Sequence, residues 1–376
     1  MVEWQKLGEV SRRNKGIPIT AGQMSELASK DGNVRVFAAG STIADIDESL
    51  LPKNCAHKLP SIIVKSRGYI DFEFYEKPFT HKNEMWSYSF DNKQEGKFIY
   101  YFLTTQTDFF RNKAKANSVK LPQLCVADTD NYLIPIPSLE EQTRIVGILD
   151  TFTSAIDNLK EQIAQRRKQY EYNRDQLLDL EGKSEQDIHC WGEVCEMEKG
   201  NGVKKADFVD EGIGCIHYGQ IYTHYGPYTY ETNKFVSEGT FAKAKKASQG
   251  DIIMTDTSEN VEDICKSVAW LGDNDIAVSN HALIIRHNQN PKFLSYSTQT
   301  NSFFVQKRKV VFGVKVSGIK PEHLAQIRIY LPPLSEQQRI VSILDTFEAS
   351  IQNLEAQLDQ REKQYEYYRN KLLTFE

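Results

Sequence analysis

Residues 139 to 178 read LEEQTRIVGILDTFTSAIDNLKEQIAQRRKQYEYNRDQLL, and residues 334 to 373 read LSEQQRIVSILDTFEASIQNLEAQLDQREKQYEYYRNKLL. At this shift of 195 residues roughly 25 of about 40 positions are identical, more than a shared helical bias produces, so the stretch is an internal duplication. In the first copy apolar residues fall at Ile145, Leu149, Phe152, Ile156, Leu159 and Ile163, alternately four and three apart. The second copy repeats them at Ile340, Leu344, Phe347, Ile351, Leu354 and Leu358. That heptad stripe is a narrow seam suited to another helix, so two long helices packed as a coiled coil are expected. An amphipathic helix lying on its own domain is the plainer reading, but it usually carries a wider apolar face. The seam continues through Arg166, Tyr170, Asn173 and Leu177, and through Arg361, Tyr365, Tyr368 and Leu372, with polar residues that would fix register. Ser138 with Glu141, and Ser335 with Gln338, each predict a capping box, and Pro135, Pro137, Pro332 and Pro333 end the structure before each helix. At 1.5 Å per residue each helix is a rod of about 60 Å.

Outward from the helices the duplication fades but does not vanish. Lys97-Phe98-Ile99 with Tyr101 matches Lys292-Phe293-Leu294 with Tyr296; Val119-Lys120 matches Val314-Lys315, and Ile134 matches Ile329, all at the same shift. Further upstream, Trp4 and Lys6-Leu7-Gly8-Glu9-Val10 resemble Trp191-Gly192-Glu193-Val194 at a shift of 184. The globular halves are therefore related units separated by insertions and deletions. Ile62 to Val64, Ile252 to Met254, Ala282 to Ile285 and Ile327 to Tyr330 read as short strands, and Lys97 to Phe110 and Pro291 to Gln306 as helices, giving an α+β globule each time. The expected division is globules at 1–137 and 187–333, long helices at 138–180 and 334–376, and a linker at 181–186.

Bulk properties narrow the function classes. With 376 residues, 40% hydrophobic and 26% charged, the chain has room for two ordinary cores. No apolar run is long enough to span a bilayer, and Met1-Val2-Glu3-Trp4 does not begin a secretory signal. The six cysteines, Cys55, Cys125, Cys190, Cys195, Cys215 and Cys265, form no CxxC pair and suit reduced thiols, so a cytoplasmic protein is expected. The net charge of -5 counts against a nucleic-acid reader unless its basic surface is local.

Two globules, two helices, and the openings Leu139, Glu141, Gln142, Arg144, Ile145 and Leu334, Glu336, Gln337, Arg339, Ile340 together resemble the type I restriction–modification specificity subunit. Pro137 and Pro332-Pro333 stand where that family places its prolines, and Gly313-Val314-Lys315 resembles the end of a target-recognition domain, with Ser118 replacing the glycine in the first copy. The resemblance implies that each globule is a target-recognition domain reading one half of a bipartite DNA site. It implies antiparallel helices that set the gap, related by a pseudo-two-fold axis. Because the globules differ, the target is expected to be asymmetric. It further implies two methyltransferase subunits docked on the chain, methylating adenine N6 with S-adenosylmethionine, and restriction/translocase subunits using ATP and Mg.

No catalytic centre is legible. Gly182-Lys183-Ser184 ends like a phosphate loop, but Leu177 stands where the first glycine is needed. No Asn/Asp-Pro-Pro-aromatic run is present for adenine methylation. Cys190 with Cys195, and Cys215 with His217, lack the usual zinc spacings. Candidates for DNA contact are basic and amide clusters, since Lys and Arg neutralise phosphates while Arg, Asn, Gln and His read base edges. In the first globule these are Lys65, Arg67, Tyr69, His81, Lys82, Asn83, Arg111, Lys113, Lys115 and Lys120. In the second they are Lys199, Asn201, Lys204, Lys205, Tyr218, Gln220, Lys245, Asn280, His281, Arg308, Lys309 and Lys315, with Lys307 in the same run. Each run also reads as ordinary solvated surface, and His81 and His281 as structural histidines. Three other functions stay open: the recognition subunit of a related restriction system with fused methylation and cleavage, a coiled-coil scaffold that never touches DNA, and a Cys/His enzyme.

Overall fold

The computed structural model describes residues 2–118, 120–313 and 317–375. They form two compact units, one of Met1–Lys160 with Ala356–Glu376 and one of Glu161–Glu355. The duplicated stretches are continuous helices, Leu139–Leu178 and Leu334–Leu372. Packing divides each helix along its length instead of at its ends. The first unit holds the start of the first helix and the end of the second; the second unit holds the other two portions.

Within the first unit Phe152 stacks on Tyr368 at 5.4 Å and Lys160 pairs with Glu362 at 3.0 Å, so numbers rise on one helix as they fall on the other. Within the second unit Arg167 pairs with Glu355 and the Tyr170 hydroxyl lies 3.5 Å from Glu348, again an antiparallel arrangement. The first turns do more than line a seam. Ile145, Val146 and Leu149 enter a core with Phe98, Ile99, Phe102 and Leu373. Ile340, Val341 and Leu344 enter one with Phe293, Leu294, Tyr170 and Leu178. The extra valine widens the apolar face there, which is how a helix binds a domain and not only a partner helix. Farther along, Ile156 and Ile163 are buried, while Phe152, Leu159, Phe347, Ile351, Leu354 and Leu358 are half-buried.

The helix starts correct the capping expectation. Ser138 accepts from the Glu141 amide at 3.3 Å, but the Glu141 carboxylate holds Arg144 at 2.6 and 2.7 Å and does not reach back. The second helix begins at Leu334, so Ser335 lies inside it and Pro333 takes the place of Ser138, its carbonyl accepting from the Gln337 amide at 3.0 Å. What repeats is a buried glutamine. Gln142 Nε2 donates to the Pro137 carbonyl at 2.9 Å and Gln337 Nε2 to the Pro332 carbonyl at 2.8 Å.

In the first unit a sheet runs in the order Arg12–Lys15, Trp86–Ser89, Ser61–Lys65, Asp71–Tyr75, all antiparallel. Ile62 and Val64 face one core and Ile63 the other, so both faces are covered and the strand reads as a continuous apolar run. A second sheet orders Ile43–Ile46, Val34–Phe37 and Phe79–His81. The second unit has two five-stranded sheets, and the central strand of one is Ile252–Thr255, between Ala282–Arg286 and Ser267–Trp270. Both units close with a short strand pair, Glu3–Lys6 with Leu133–Ile136 and Ile188–Cys190 with Arg328–Tyr330. The turn that follows is Leu7–Val10 in one and Trp191–Val194 in the other. Leu7 and Trp191 are the matching buried anchors, whereas Trp4 is exposed.

Each expected helix before the long ones is in fact two. Lys93–Thr105 is followed by Thr107–Asn117, and Pro291–Ser297 by Asn301–Val310. Threonines make the breaks: Thr104, Thr105 and Thr107 bond carbonyls three residues back, and Thr300 caps the Phe303 amide. Such local bonds compete with helix propagation.

Candidate nucleic-acid interface

Antiparallel pairing brings the end of one strand beside the start of the next. In the first unit Val64 and Lys15 both face Trp86 across the ladder. The exit of the central strand, the turn at 82–85 and the end of Arg12–Lys15 therefore share one sheet edge. In the second unit Thr255 faces Ala282 and Lys199 faces Leu283, so the same three segments meet again. Most of the candidate residues are on these two edges.

On the first edge Ser66 Oγ donates to the Glu84 carbonyl at 2.8 Å, joining the strand exit to the turn that carries Lys82 and Asn83. Arg67 bridges to Gln123, and the Gly68 amide bonds the Pro122 carbonyl, bringing the loop of Lys120 alongside. Gly68 needs its left-handed φ of 78° to turn there. Tyr69 stands exposed with the Arg111 guanidinium 5.0 Å over its ring and donating to its hydroxyl at 2.9 Å. Lys113 and Lys115 follow on the same helix as Arg111.

His81 is not on this surface. Its ring is fully buried, 5.8 Å from His57 and within reach of Ser87 Oγ at 3.2 Å, and burial pushes its pKa down to about 4. The strand Phe79–His81 pairs with Val34–Phe37, which carries the histidine inward.

On the second edge the carboxylate of Asp256 is buried, holding Lys199 at 2.9 Å and accepting from Thr257 at 2.9 Å, with His281 Nδ1 at 3.9 Å. His281 adopts a φ of 65°, uncommon for a residue with a side chain and worth about 1–3 kcal/mol of strain. Its ring lies 5.3 Å from Tyr218, whose amide donates to Ser279 Oγ at 2.9 Å. Asn280 Oδ1 accepts from the Gly202 amide at 2.9 Å, and the Asn201 carbonyl from the Lys245 amide at 3.1 Å. Gln220 is used locally, accepting from the His217 amide at 2.8 Å and donating to Asn233. The Lys204 amide bonds Asp207, and Lys205 lies near enough to His217 to disfavour its protonation, after burial.

Arg308 and Lys309 lie near the end of the helix Asn301–Val310, and among the described residues no bond ties them to this edge. Lys307 is buried, its ammonium donating to the carbonyls of Glu262 and Ile264 at 2.9 and 2.7 Å, so the run is not one basic surface. Val119, Val314 and Lys315 lie outside the described residues.

Several cations on both edges are already paired: Lys65 with Glu73 at 2.8 Å, Lys82 with Glu84 at 2.9 Å and Lys245 with Glu198 at 2.5 Å. This matches the negative total charge. The edges are polar and hydrogen-bonding more than strongly basic. The reading of the sequence missed Asp256, which no neighbouring motif announces, and exposed Lys15 at the end of its strand. It also missed a repeated tie. Asp150 accepts from Lys97 and Tyr101 at 2.7 and 2.6 Å, and Asp345 from Lys292 and Tyr296 at 2.8 Å each. Applying the shift of 195 to charged positions would have found it.

Among the described residues no group of three His, Cys, Asp or Glu side chains could hold a metal ion, and no helix is long and apolar enough to cross a membrane. Cys195 and Cys215 are buried thiols whose pKa burial pushes up to about 12.

Known proteins agree with this architecture. The type I restriction modification DNA specificity domain matches twice, at residues 1–166 and 184–362. A putative type I restriction enzyme specificity subunit of Haemophilus influenzae is 26% identical over all of this chain and 96% of its own length. The EcoR124I/EcoR124II specificity subunit of Escherichia coli is 27% identical over 100% of this chain and 94% of its own. The solved S subunit of a type I system from M. genitalium superposes with a TM-score of 0.61 at 16% identity, covering 100% of this chain and 97% of that one. The doubled domain, the doubled helix and the full-length relatives lead to one assignment: the chain belongs to the type I restriction–modification specificity-subunit family.

Proposed function

We propose that the two sheet edges are DNA-reading surfaces, each taking one half of a bipartite, asymmetric target. One observation carries this reading. The same three segments meet at one edge of a sheet in both units, yet the loops there differ in sequence while the long helices stay identical at most positions. A scaffold kept constant beneath divergent polar loops is what two readers of different half-sites need. Arg67, Tyr69, Asn83, Arg111, Lys113, Lys115 and Lys120 serve one half-site; Lys199, Asn201, Lys204, Lys205, Tyr218, Asn280 and His281 serve the other. Recognition segments at 1–137 and 187–333, with the helices as spacer, follow from this reading.

As a specificity subunit the chain is not itself catalytic. The chemistry belongs to partners: two methyltransferase subunits carrying S-adenosylmethionine and acting on adenine N6, and restriction/translocase subunits using ATP and Mg, all in the cytoplasm. The test is adenine-methylation mapping. Purified alone, the chain methylates nothing; with a cognate methyltransferase subunit it directs methylation to one bipartite sequence. Methylation by the chain free of partners refutes the division of labour, and methylation without a bipartite motif refutes the two-reader arrangement.

A further inference from the structure

Across the 40 aligned positions of the two long helices, only two reverse the sign of their charge. Lys160 corresponds to Glu355, and Arg167 to Glu362. The same four residues form the ion pairs that flank the seam: Lys160 with Glu362 at 3.0 Å within the first unit, Arg167 with Glu355 at 2.5 Å within the second. In both, the first helix supplies the cation and the second the carboxylate.

Elsewhere along the seam no charge is reversed, although Thr153 corresponds to Glu348 and Asn173 to Tyr368. Arg361 lies over Phe152 at 5.8 Å in the first unit, and Arg166 over Phe347 at 6.0 Å in the second. From Ile145 to Ile163 the apolar positions match those of the second helix in type, Ile156 with Ile351 and Leu159 with Leu354 among them. As far as the shared apolar positions are concerned, the first helix of a second copy offers the first helix a partner much like its own second helix, although Phe152 would meet Asn173 in place of Tyr368. Duplication creates this hazard, because each copy inherits the ability to pair with itself. Two first helices in the observed register would set Lys160 against Arg167, and two second helices would set Glu355 against Glu362. Flanking charges of this kind choose partners in helical pairs, by repulsion of wrong ones as much as attraction of right ones.

We propose that these two ion pairs direct the first helix to the second and exclude from the seam the like helix of another copy of this chain. All four side chains are substantially exposed, so each pair adds little to stability itself. Discrimination is larger, because a wrong pairing replaces two attractions by two repulsions.

The decisive variant of the full chain is Arg167→Glu with Glu355→Lys. It keeps both ion pairs, one with reversed polarity, so the fold is retained. It also gives both helices the same charge pattern, lysine then glutamate, so that like helices of two copies attract. Parent and variant are denatured, refolded side by side at low salt, and weighed by light scattering. The expected result is an unchanged unfolding midpoint, with the two-chain fraction raised about tenfold at equal concentration and the difference lost in 1 M salt, an order of magnitude set by exchanging repulsions for attractions. A variant no more associated than the parent overturns the proposal. Lys160→Glu with Arg167→Glu provides a second reading, as it faces both glutamates with glutamate. It unfolds more easily than the parent, and adding Glu355→Lys and Glu362→Arg restores it; failure of that rescue also overturns the proposal. Neither measurement involves DNA, so the outcome is independent of the reading surfaces.

Discussion

Replacing Asp345 by Ala removes the acceptor for two charge-assisted bonds, from the Lys292 ammonium and the Tyr296 hydroxyl, each 2.8 Å long. Lys292 is mostly buried, lying 3.6 Å over the Tyr228 ring, and Tyr296 is fully buried. Neither donor can turn fully to water once the carboxylate is gone. Hydrogen bonds to a charged group contribute about 1.5–3 kcal/mol each, and water entering the space left by the carboxylate recovers part of that. A loss of about 2–3 kcal/mol follows for the second unit, which for a body of its size lowers the unfolding midpoint by about 4–12 °C. Asp345→Asn keeps one acceptor and costs roughly half as much. The matched substitution Asp150→Ala in the first unit removes bonds from Lys97 and Tyr101 and should act slightly more weakly, since Asp150 and Lys97 are a little more exposed. Urea unfolding followed by residue-resolved hydrogen exchange reads the two units separately. Losses below about 0.5 kcal/mol for both alanine variants would refute the claim that these aspartates tie the globules to the helices.

Three further outcomes are expected. Burial keeps the His81 ring neutral with a pKa near 4 against the ordinary 6.5; its contribution is whole above pH 6.5 and drains as pH falls toward 4, about 2 kcal/mol by pH 5. Acid unfolding of a His81→Gln variant should therefore be less steep, and an equal slope would show that the ring titrates freely. His281→Gly relieves the left-handed backbone while removing the side chain, so the unfolding free energy should hold or rise by up to about 1 kcal/mol while preference at one half-site weakens; methylation mapping that finds both half-sites unchanged removes His281 from the reading surface. Inserting one heptad at matched depth in both long helices keeps the stripe in phase and adds about 10 Å, or roughly three base pairs of gap, with both half-sites retained; an unchanged gap in a folded variant means the helices do not set the distance.

The long helices were legible because their signal was written twice, at every third or fourth position and again 195 residues later. Their first turns were less so. Val146 and Val341 broaden the stripe into a domain contact, and a serine at 138 but a proline at 333 disguises a start that both copies fix through a buried glutamine. The breaks at Gln106 and at Thr298 to Thr300 depend on hydroxyl bonds to nearby carbonyls, which apolar periodicity does not register. For the candidate surface, residue type alone pointed to Tyr69, Arg111, Asn280 and His281, which the fold places beside the two edges. It misjudged His81, whose burial is decided by a strand more than forty residues earlier, and Lys307, whose charge is spent on internal carbonyls. Asp256 was invisible because its importance lies wholly in the neighbours the fold supplies.

The division of the helices also bears on how the chain is made. The second unit, Glu161–Glu355, is contiguous in sequence, whereas the first waits for residues 356–376. Leu373 enters its core and Phe375 meets Phe98 at a ring distance of 6.0 Å. On the ribosome, the half translated first is thus the half completed last. A chain ending near residue 355 keeps every residue of the second unit and leaves the first without Leu373 and Phe375, so part of its apolar core is uncovered, the condition under which unfinished domains aggregate or are degraded. Translation to the final turns is built into the fold as a condition for closing the part that was begun first.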